Sequence, residues 1–201
     1  MMIDNKLNIT NQIELSKAEE KISKQKAKQL FDSGDIAKVQ VGTYKGLAYI
    51  HNYLFEDIYD FAGKMRTVHM SKGDFRFAPV MYLEASLTHI DQMPQTTFDQ
   101  IIEKYVEMNI AHPVREGNGR ATRIWLDLIL KQEITQVIDW NLVDKEEYLS
   151  AMRRSVVQDV EIKYFLKQAL TPDIDNRDLF MKGIDVSYYY EGYSEFKTDE
   201  V

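Results

Sequence analysis

The stretch "AHPVREGNGRATRIW", from Ala111 to Trp125, brings a histidine, a carboxylate, a Gly-Asn-Gly sequence and three arginines together between two predicted helices. Pro113 disfavours the α conformation at His112, so the first helix is expected to end there. The two glycines can adopt backbone angles that other residues avoid, and successive N–H groups at the start of the next helix can form an anion-binding nest. The order of these residues therefore indicates a site for phosphate.

The side chains of this stretch divide the chemistry among them. Arg120 and Arg123 lie three residues apart and share one helical face, and their guanidinium groups suit phosphate oxygens. Glu116 is the only carboxylate in the loop, and one carboxylate together with phosphate oxygens is a common way to hold Mg²⁺. His112 can accept a proton near neutral pH. We predict that the backbone of residues 117–119 and the arginines hold a polyphosphate, that Glu116 holds its metal, and that His112 deprotonates an attacking hydroxyl. The alternative is a glycine-rich connection with solvated charges.

Composition limits the classes of function. The chain has 201 residues, 44% of them apolar, which suits one globular domain. A formal net charge of −7 disfavours binding to nucleic acid or to an anionic membrane surface. The absence of cysteine excludes disulfides and thiolate metal sites. No secretory signal or apolar run of about 20 residues is visible, so a cytoplasmic protein without a membrane segment is expected.

Apolar spacing predicts helices along most of the chain. The first is expected to begin at Ser16, with Glu19 completing a capping box, and to stop near Gly34. The lysines of "KISKQKAKQ" on this helix are expected to form a solvated face. Further helical segments are 43–61, 81–93, 97–112, 120–133, 144–157, 160–170, 176–183 and a separate short one around 186–196. The sequence "MRTVHMSKGDFRFAPV" instead predicts a hairpin with its turn at Gly73 and Asp74. An all-α domain with one small hairpin is the predicted fold class.

At the 112–123 motif the sequence resembles a known family. "HPVREGNGRATR" is similar to the signature of Fic-domain proteins, H-x-F-x-(D/E)-G-N-G-R-x-x-R, with Val114 where the family usually has Phe. "LFEDIYDFAGKMR" resembles the helix and turn that precede the signature, and the likeness extends from Tyr44 to the C-terminus. The resemblance implies a Fic-type helical bundle with a hairpin flap at about 68–79. It also implies a Fic domain at 1–185 and a C-terminal autoinhibitory helix and tail at 186–201.

The resemblance further implies transfer of AMP from ATP to a Tyr, Ser or Thr hydroxyl of a protein target. His112 would be the base and Glu116 would bind the metal, Mg²⁺ or another divalent ion. Gly117, Asn118 and Gly119 would cradle the phosphates, and Arg120 and Arg123 would hold the β- and γ-phosphates. A kinase-like branch of the family carries Lys at the position of Gly119, so glycine favours AMP transfer. These site assignments all depend on the resemblance.

The hairpin has a family counterpart. It resembles the flap that aligns a target segment by strand-like pairing, with Lys72 and Phe77 as docking residues. An ordinary surface hairpin is the alternative.

The sequence "SYYYEGY" near the C-terminus resembles the family's inhibitory motif, (S/T)-x-x-x-E-(G/N). In a helix, Ser187 and Glu191 fall four residues apart on one face. Glu191 would then pair with Arg123 and withdraw it from the γ-phosphate. The alternative is a short amphipathic helix that packs its tyrosines on the core. Tyr189 and Tyr190 are candidates for self-modification.

Several functional alternatives stay open. In some Fic proteins the inhibitory glutamate positions a water that removes AMP from modified targets, so an enzyme with both activities is an alternative. A non-catalytic nucleotide-binding module, a donor other than ATP such as UTP or a phosphocholine donor, and assembly into homo-oligomers are further options. His51 is predicted to be a hydrogen-bonded core histidine, because it lies on an apolar stripe without metal-ligand spacing.

Overall fold

A computed structural model describes residues 3–73 and 75–201, which form a helical bundle around a central helix. In chain order the helices are α1 (Gln12–Asp32), α2 (Tyr44–Phe55), α3 (Val80–Gln92), α4 (Phe98–Ala111), α5 (Asn118–Ile134), α6 (Lys145–Arg154), α7 (Val160–Gln168) and α8 (Arg177–Tyr190). Helix α5 packs against α2, α4 and α8, while α1 lies against α2 and α8. The predicted all-α class is confirmed.

The core forms where apolar stripes of these helices meet. Trp125 of α5 is fully buried, and its indole N–H donates to the Thr43 carbonyl at 3.0 Å. Thr43 also caps α2, because its hydroxyl accepts from the Gly46 N–H at 3.0 Å. Phe55 and Tyr105 are likewise buried beside the central helix. The N-terminal end of α5, where the motif begins, is therefore held in a rigid setting.

Two antiparallel strand pairs accompany the helices. The predicted hairpin consists of β1 (Ser71–Lys72) and β2 (Phe75–Arg76), with Asp74 of its predicted turn outside the described residues. The second pair, β3 (Val137–Ile138) with β4 (Leu170–Thr171), is not predicted from the sequence. Its strands are only two residues long and lie far apart in the chain, so no local alternation indicates them.

Asp127 of α5 holds the second strand pair against the helix by hydrogen bonds. Its carboxylate accepts from the Ile138 N–H at 2.9 Å and from the Trp140 indole N–H at 2.8 Å. Burial raises the pKa of Asp127 to about 7, although both hydrogen bonds oppose that rise.

Three helix boundaries differ from the prediction. Helix α1 begins at Gln12 with Asn11 as its cap, because the Asn11 side chain accepts from two backbone N–H groups; the predicted capping box at Ser16 is wrong. Helix α2 ends at Phe55 and not at residue 61. The segments predicted separately at 176–183 and 186–196 form one helix, α8, that continues through the division at 185/186.

The basic face of α1 also differs from the prediction. Lys24 is buried, with its ammonium 3.0 Å from Glu20 and 3.1 Å from Asp185. It also donates to the carbonyl of Phe196 at 2.6 Å, so it ties the last residues of the chain to α1. Periodicity places Lys24 on α1 but does not reveal that the tail covers it.

Over residues 3–73 and 75–201, no helix has both the length and the apolar character required to cross a membrane.

Candidate active site

The loop before α5 has an unusual backbone that its sequence explains. His112 adopts a left-handed conformation, with φ 47° and ψ 62°, which turns the chain out of α4. Gly117 has φ +76°, and a Cβ there would lie 2.6 Å from the Phe55 ring, so only glycine fits. Asn118 closes the loop, since its side chain donates to the Val114 carbonyl at 2.7 Å and accepts from the Val114 N–H at 3.0 Å. The Asn118 side chain therefore shapes the loop.

A buried histidine supports the loop from below. The Gly63 N–H donates to Nδ1 of His51 at 2.9 Å, so Nε2 carries the hydrogen and donates to the Glu116 carbonyl at 2.7 Å. Burial lowers the pKa of His51 to about 4, which keeps the ring neutral. The predicted core role of His51 is confirmed.

His112 lies beneath the flap. Its imidazole stacks on Phe77, with ring centroids 3.7 Å apart and an interplanar angle of 16°. Nδ1 is buried and has no hydrogen-bond partner among the described residues. Burial, reinforced by the charges of Arg66 and Lys72, lowers the pKa of His112 to about 4. A neutral imidazole can accept a proton, so the ring suits a general base.

A pocket of about 560 Å³ opens in front of this histidine. The flap, the motif loop, α4 and α6 contribute its walls, and Glu191 lies at one side. Lining side chains include His112, Glu116, Arg123, Tyr148 and Lys72. The volume and the mixture of charged and apolar walls suit a small polar ligand.

Arg120 is buried between α1 and the motif. Its guanidinium is buried and donates to Glu19 of α1, and its second terminal nitrogen donates to Glu116 at 3.0 Å. The hydroxyl groups of Tyr59 and Tyr193 donate to the same Glu19 carboxylate. Because carboxylates engage both terminal nitrogens, Arg120 joins α1 to the motif and orients Glu116. That Arg120 also holds phosphate stays a prediction.

Arg123 is held by the end of α8. Its Nε donates to the Ser187 hydroxyl at 2.7 Å, and Nη2 donates to the Ser187 carbonyl at 2.9 Å. Nη2 also forms an ion pair of 2.8 Å with Glu191, the residue that caps α8. The Tyr148 hydroxyl accepts from Nη1 at 3.4 Å. The structure therefore brings together the three residues that the sequence predicted would meet.

Glu191 fills the space beside Gly119. A Cβ at residue 119 would lie 2.4 Å from Glu191 Oε1, so a side chain there and the ion pair exclude each other. Burial alone would raise the pKa of Glu191, but Arg123 outweighs it and lowers the pKa to about 2. The second oxygen, Oε2, lies 4.0 Å from the Lys72 ammonium across the pocket. Glu191 is therefore ionised across the physiological pH range.

The two tyrosines predicted for self-modification differ in exposure. Tyr189 is 52% exposed, whereas Tyr190 is buried and its hydroxyl donates to the Val143 carbonyl at 2.6 Å. In this conformation only Tyr189 presents its hydroxyl side to solvent. Of the two docking residues, Lys72 is exposed on β1, while Phe77 covers His112.

Sequence reasoning missed residues that hold the site from outside the motif. Glu19 was interpreted as part of a cap, and Tyr148 and Arg66 were given no role. Each lies far along the chain from its partner, so no local spacing signals the contact. An isolated carboxylate on an apolar helical stripe, as at Glu19, is the one available signal of a buried partner.

Glu116 is the described residue that fits a metal. Its side chain is 40% exposed at the pocket wall, and its Oε1 accepts from Arg120 and from the Gly117 N–H. Oε2 receives no hydrogen bond from the described residues, so one oxygen is available to a cation. Within residues 3–73 and 75–201, no cluster of three or more His, Cys, Asp or Glu side chains could hold an ion alone.

Comparison with known proteins gives a consistent result. Residues 42–130 match the model of the Fic/DOC family. The chain is 28% identical over 171 residues to y4lH of Sinorhizobium fredii, a probable protein adenylyltransferase, covering 79% of this chain and 85% of that protein. It is 27% identical over 171 residues to the probable protein adenylyltransferase Fic of Escherichia coli, covering 78% and 80% of the two chains.

Solved structures show the same fold. The crystal structure of BepC from Bartonella tribocorum, with bound AMPPNP, superimposes with a TM-score of 0.69 at 16% sequence identity, covering 86% of this chain and 94% of that one. The motif, the helical bundle and these relatives agree that the chain contains a Fic domain, with residues 42–130 matching the Fic/DOC family.

Proposed function

We propose that this protein transfers AMP from ATP to a hydroxyl group of a protein. The observation that carries the proposal is the arrangement of His112, Glu116 and Arg123 around one pocket at the N-terminal end of α5. Adenylyltransferases among the relatives and the AMPPNP-bound neighbour support the choice of nucleotide and reaction. A phosphate chain is expected along the loop, where N–H groups and the helix dipole favour negative charge.

The proposed step is a displacement at the α-phosphorus of ATP. The target hydroxyl oxygen forms the new P–O bond, the bond from the α-phosphorus to the bridging oxygen breaks, and pyrophosphate leaves. Nε2 of His112 accepts the hydroxyl proton, because the ring is neutral before the step. Phe77 holds the imidazole in place by stacking.

Glu116 would hold Mg²⁺ through its available oxygen, and Arg120 orients that carboxylate from behind. When bound, the ion would neutralise phosphate charge and help pyrophosphate to leave. Arg123 would bind the γ-phosphate once it is released from Glu191.

The contact between Arg123 and the end of α8 supports autoinhibition. Ser187 and Glu191 accept three hydrogen bonds from the guanidinium of Arg123. Glu191 also projects beside Gly119, where phosphate is expected. We therefore assign residues 186–201 a regulatory role on the Fic domain. Because the pKa of Glu191 is about 2, acidification to pH 5 leaves this contact intact.

The flap and the tail suggest where proteins would be modified. An extended target segment would pair with the hairpin, with Lys72 exposed along its edge. Tyr189 is the proposed self-modification site, since the Tyr190 hydroxyl is buried.

Removal of AMP from a modified protein is a second candidate activity. Glu191 lies in the pocket wall with Oε2 facing Lys72 and not paired with Arg123. A carboxylate in that position could activate a water molecule against the AMP–protein bond. Glu191 would then be required for removal although it opposes transfer.

One set of variants tests both activities. Wild type, Glu191→Gly and His112→Ala are incubated with Mg²⁺ and α-labelled ATP, and label on protein is measured. Glu195→Gly is the matched control, since Glu195 is also a tail carboxylate but pairs with Lys17 on the surface. Glu191→Gly is expected to raise labelling at least about tenfold, which corresponds to about 1.4 kcal/mol, while Glu195→Gly matches wild type.

The outcomes separate the hypotheses. Equal labelling in wild type and Glu191→Gly would refute the inhibitory role, and labelling in His112→Ala would refute the role of His112 as base. Label that wild type strips from purified Glu191→Gly product, and that Glu191→Gly cannot strip, would establish removal of AMP. Nucleotide binding without labelling in any variant would favour a binding module.

A further inference from the structure

Arg66 lies between the motif and the flap and is buried, with 3% of its surface exposed. Its Nε donates to the carbonyl of His112 at 2.7 Å, and Nη2 donates to Ala111 at 3.1 Å. Nη2 also donates to Ala78 at 2.6 Å, and Nη1 donates to Val68 at 2.7 Å. One guanidinium therefore joins the end of α4 to both ends of the flap.

Among residues 3–73 and 75–201, the buried charge of Arg66 has no counter-ion. No carboxylate within residues 3–73 and 75–201 lies within 4.0 Å of its nitrogens, and four backbone carbonyls are its acceptors. Burying a cation in this way is costly, and burial lowers the pKa of Arg66. The planar guanidinium of arginine carries N–H donors on three nitrogens and can bond carbonyls that lie in several directions. Lysine carries its three donors on a single nitrogen.

The bonds of Arg66 fix two parts of the site in relation to each other. His112 has a left-handed backbone, a conformation that non-glycine residues rarely adopt, and the carbonyl of His112 accepts from Arg66. The Arg66 N–H adds a bond of 2.8 Å to the Pro113 carbonyl, and the Ala78 N–H bonds to Ile110 at 3.1 Å. The positions of the His112 imidazole and of the flap strands that would align a target thus depend on one residue, Arg66.

We propose that Arg66 is a positioning residue for AMP transfer, because it holds the backbone of His112 and both ends of the flap in a fixed position relative to each other. The inference rests on the proposed function. Arg66 touches carbonyls and not the pocket, so it would act on the rate of the transfer step and on target alignment, and not on nucleotide affinity.

The charges around His112 are consistent with this role. Arg66 and Lys72 of the flap both favour the neutral imidazole, while Glu191 of α8 and the backbone of Asn109 favour the protonated form. Replacing Arg66 with a neutral residue removes one of the two cations that keep the base unprotonated.

The test uses the full chain carrying Glu191→Gly, to which Arg66→Lys, Arg66→Met or Lys64→Met is added. Lys64 is an exposed cation two residues from Arg66 and serves as the matched control. Amide hydrogen exchange is measured for residues 68–79 and for the core of α5 at 121–130, together with ATP affinity and the rate of AMP transfer.

Both Arg66 variants are expected to raise exchange at 68–79 and to lower transfer by at least about tenfold, while ATP affinity stays within about threefold. Exchange at 121–130 and all properties of Lys64→Met should match the parent. The inference would be overturned by unchanged hydrogen exchange at 68–79 or by an equal rise in exchange at 121–130. An unchanged rate of AMP transfer in a variant with raised exchange at 68–79 would also overturn it. If the Glu191→Gly parent does not transfer AMP, the proposed function fails, and exchange at 68–79 still decides whether Arg66 holds the flap.

Discussion

His112 shows how its surroundings prepare a single residue for chemistry. An exposed imidazole titrates near pH 6.5, but burial under Phe77 and the neighbouring cations lowers the pKa of His112 to about 4. The folded protein thus keeps the ring neutral at a pH where the unfolded chain binds a proton. Stability linked to this residue is present above about pH 6.5 and declines as the pH falls towards 4.

We expect the ring of His112 to show no titration between pH 8 and pH 5.5 in the folded protein. Ring-carbon chemical shifts in an NMR titration measure this, with assignment by the His112→Ala variant. His51, whose pKa is also lowered to about 4, should behave in the same way. A midpoint for His112 near pH 6.5 would contradict the account of the base as a buried, neutral group.

The residue types in the motif and the pairing of Arg123 with Glu191 could be predicted from sequence, but the partners of Arg120 could not. The nest, the carboxylate and the histidine follow from the order of residues 112–123 and from glycine angles. The position of Arg120 does not, because its partner Glu19 lies 101 residues earlier in the chain. Burial of a charge depends on a tertiary contact that no spacing rule records.

The continuity of α8 connects the proposed regulatory segment to the bundle. The helix runs from Arg177 to Tyr190 and ends with Glu191 on Arg123. Beyond Glu191 the chain is held on α1, where Lys24 contacts Glu20, Asp185 and the Phe196 carbonyl. Gly183 and Asp185 lower the apolar signal where the two predicted segments meet, so periodicity does not reveal that the helix is continuous.

We expect Lys24→Met to lower the free energy of unfolding by about 3–5 kcal/mol, because it leaves the buried carboxylate of Glu20 without its cation. Urea denaturation measures the change. Lys182→Met is the control, as Lys182 is an exposed lysine of α8. Equal stability of the two variants would show that the tail contact contributes little.

At the scale of the whole molecule, the motif at 112–123 depends on helices outside the family match. The match covers residues 42–130, yet Arg120 pairs with α1 and Arg123 pairs with α8. Each of these helices supplies a carboxylate to one buried guanidinium, Glu19 to Arg120 and Glu191 to Arg123. The sequence predicted the fold class and most helices, but the packing of α1 and α8 onto the motif required the structure.

A fragment of residues 42–130 is therefore expected not to fold cooperatively. The fragment lacks Glu19, one of the two carboxylates on Arg120, and Glu191, the carboxylate on Arg123, and breaking a buried ion pair costs several kcal/mol. Thermal unfolding followed by circular dichroism compares the fragment with the full chain. A sharp transition in the fragment would show that the matched region is stable alone.

Competition between Glu191 and a bound γ-phosphate for Arg123 would have a thermodynamic consequence. If a bound γ-phosphate and the end of α8 compete for this guanidinium, each weakens the other's binding by the same factor, since linkage is reciprocal. The ligand that the tail excludes is then also an effector that loosens the tail. The nucleotide concentration itself would set the fraction of molecules in the restrained form.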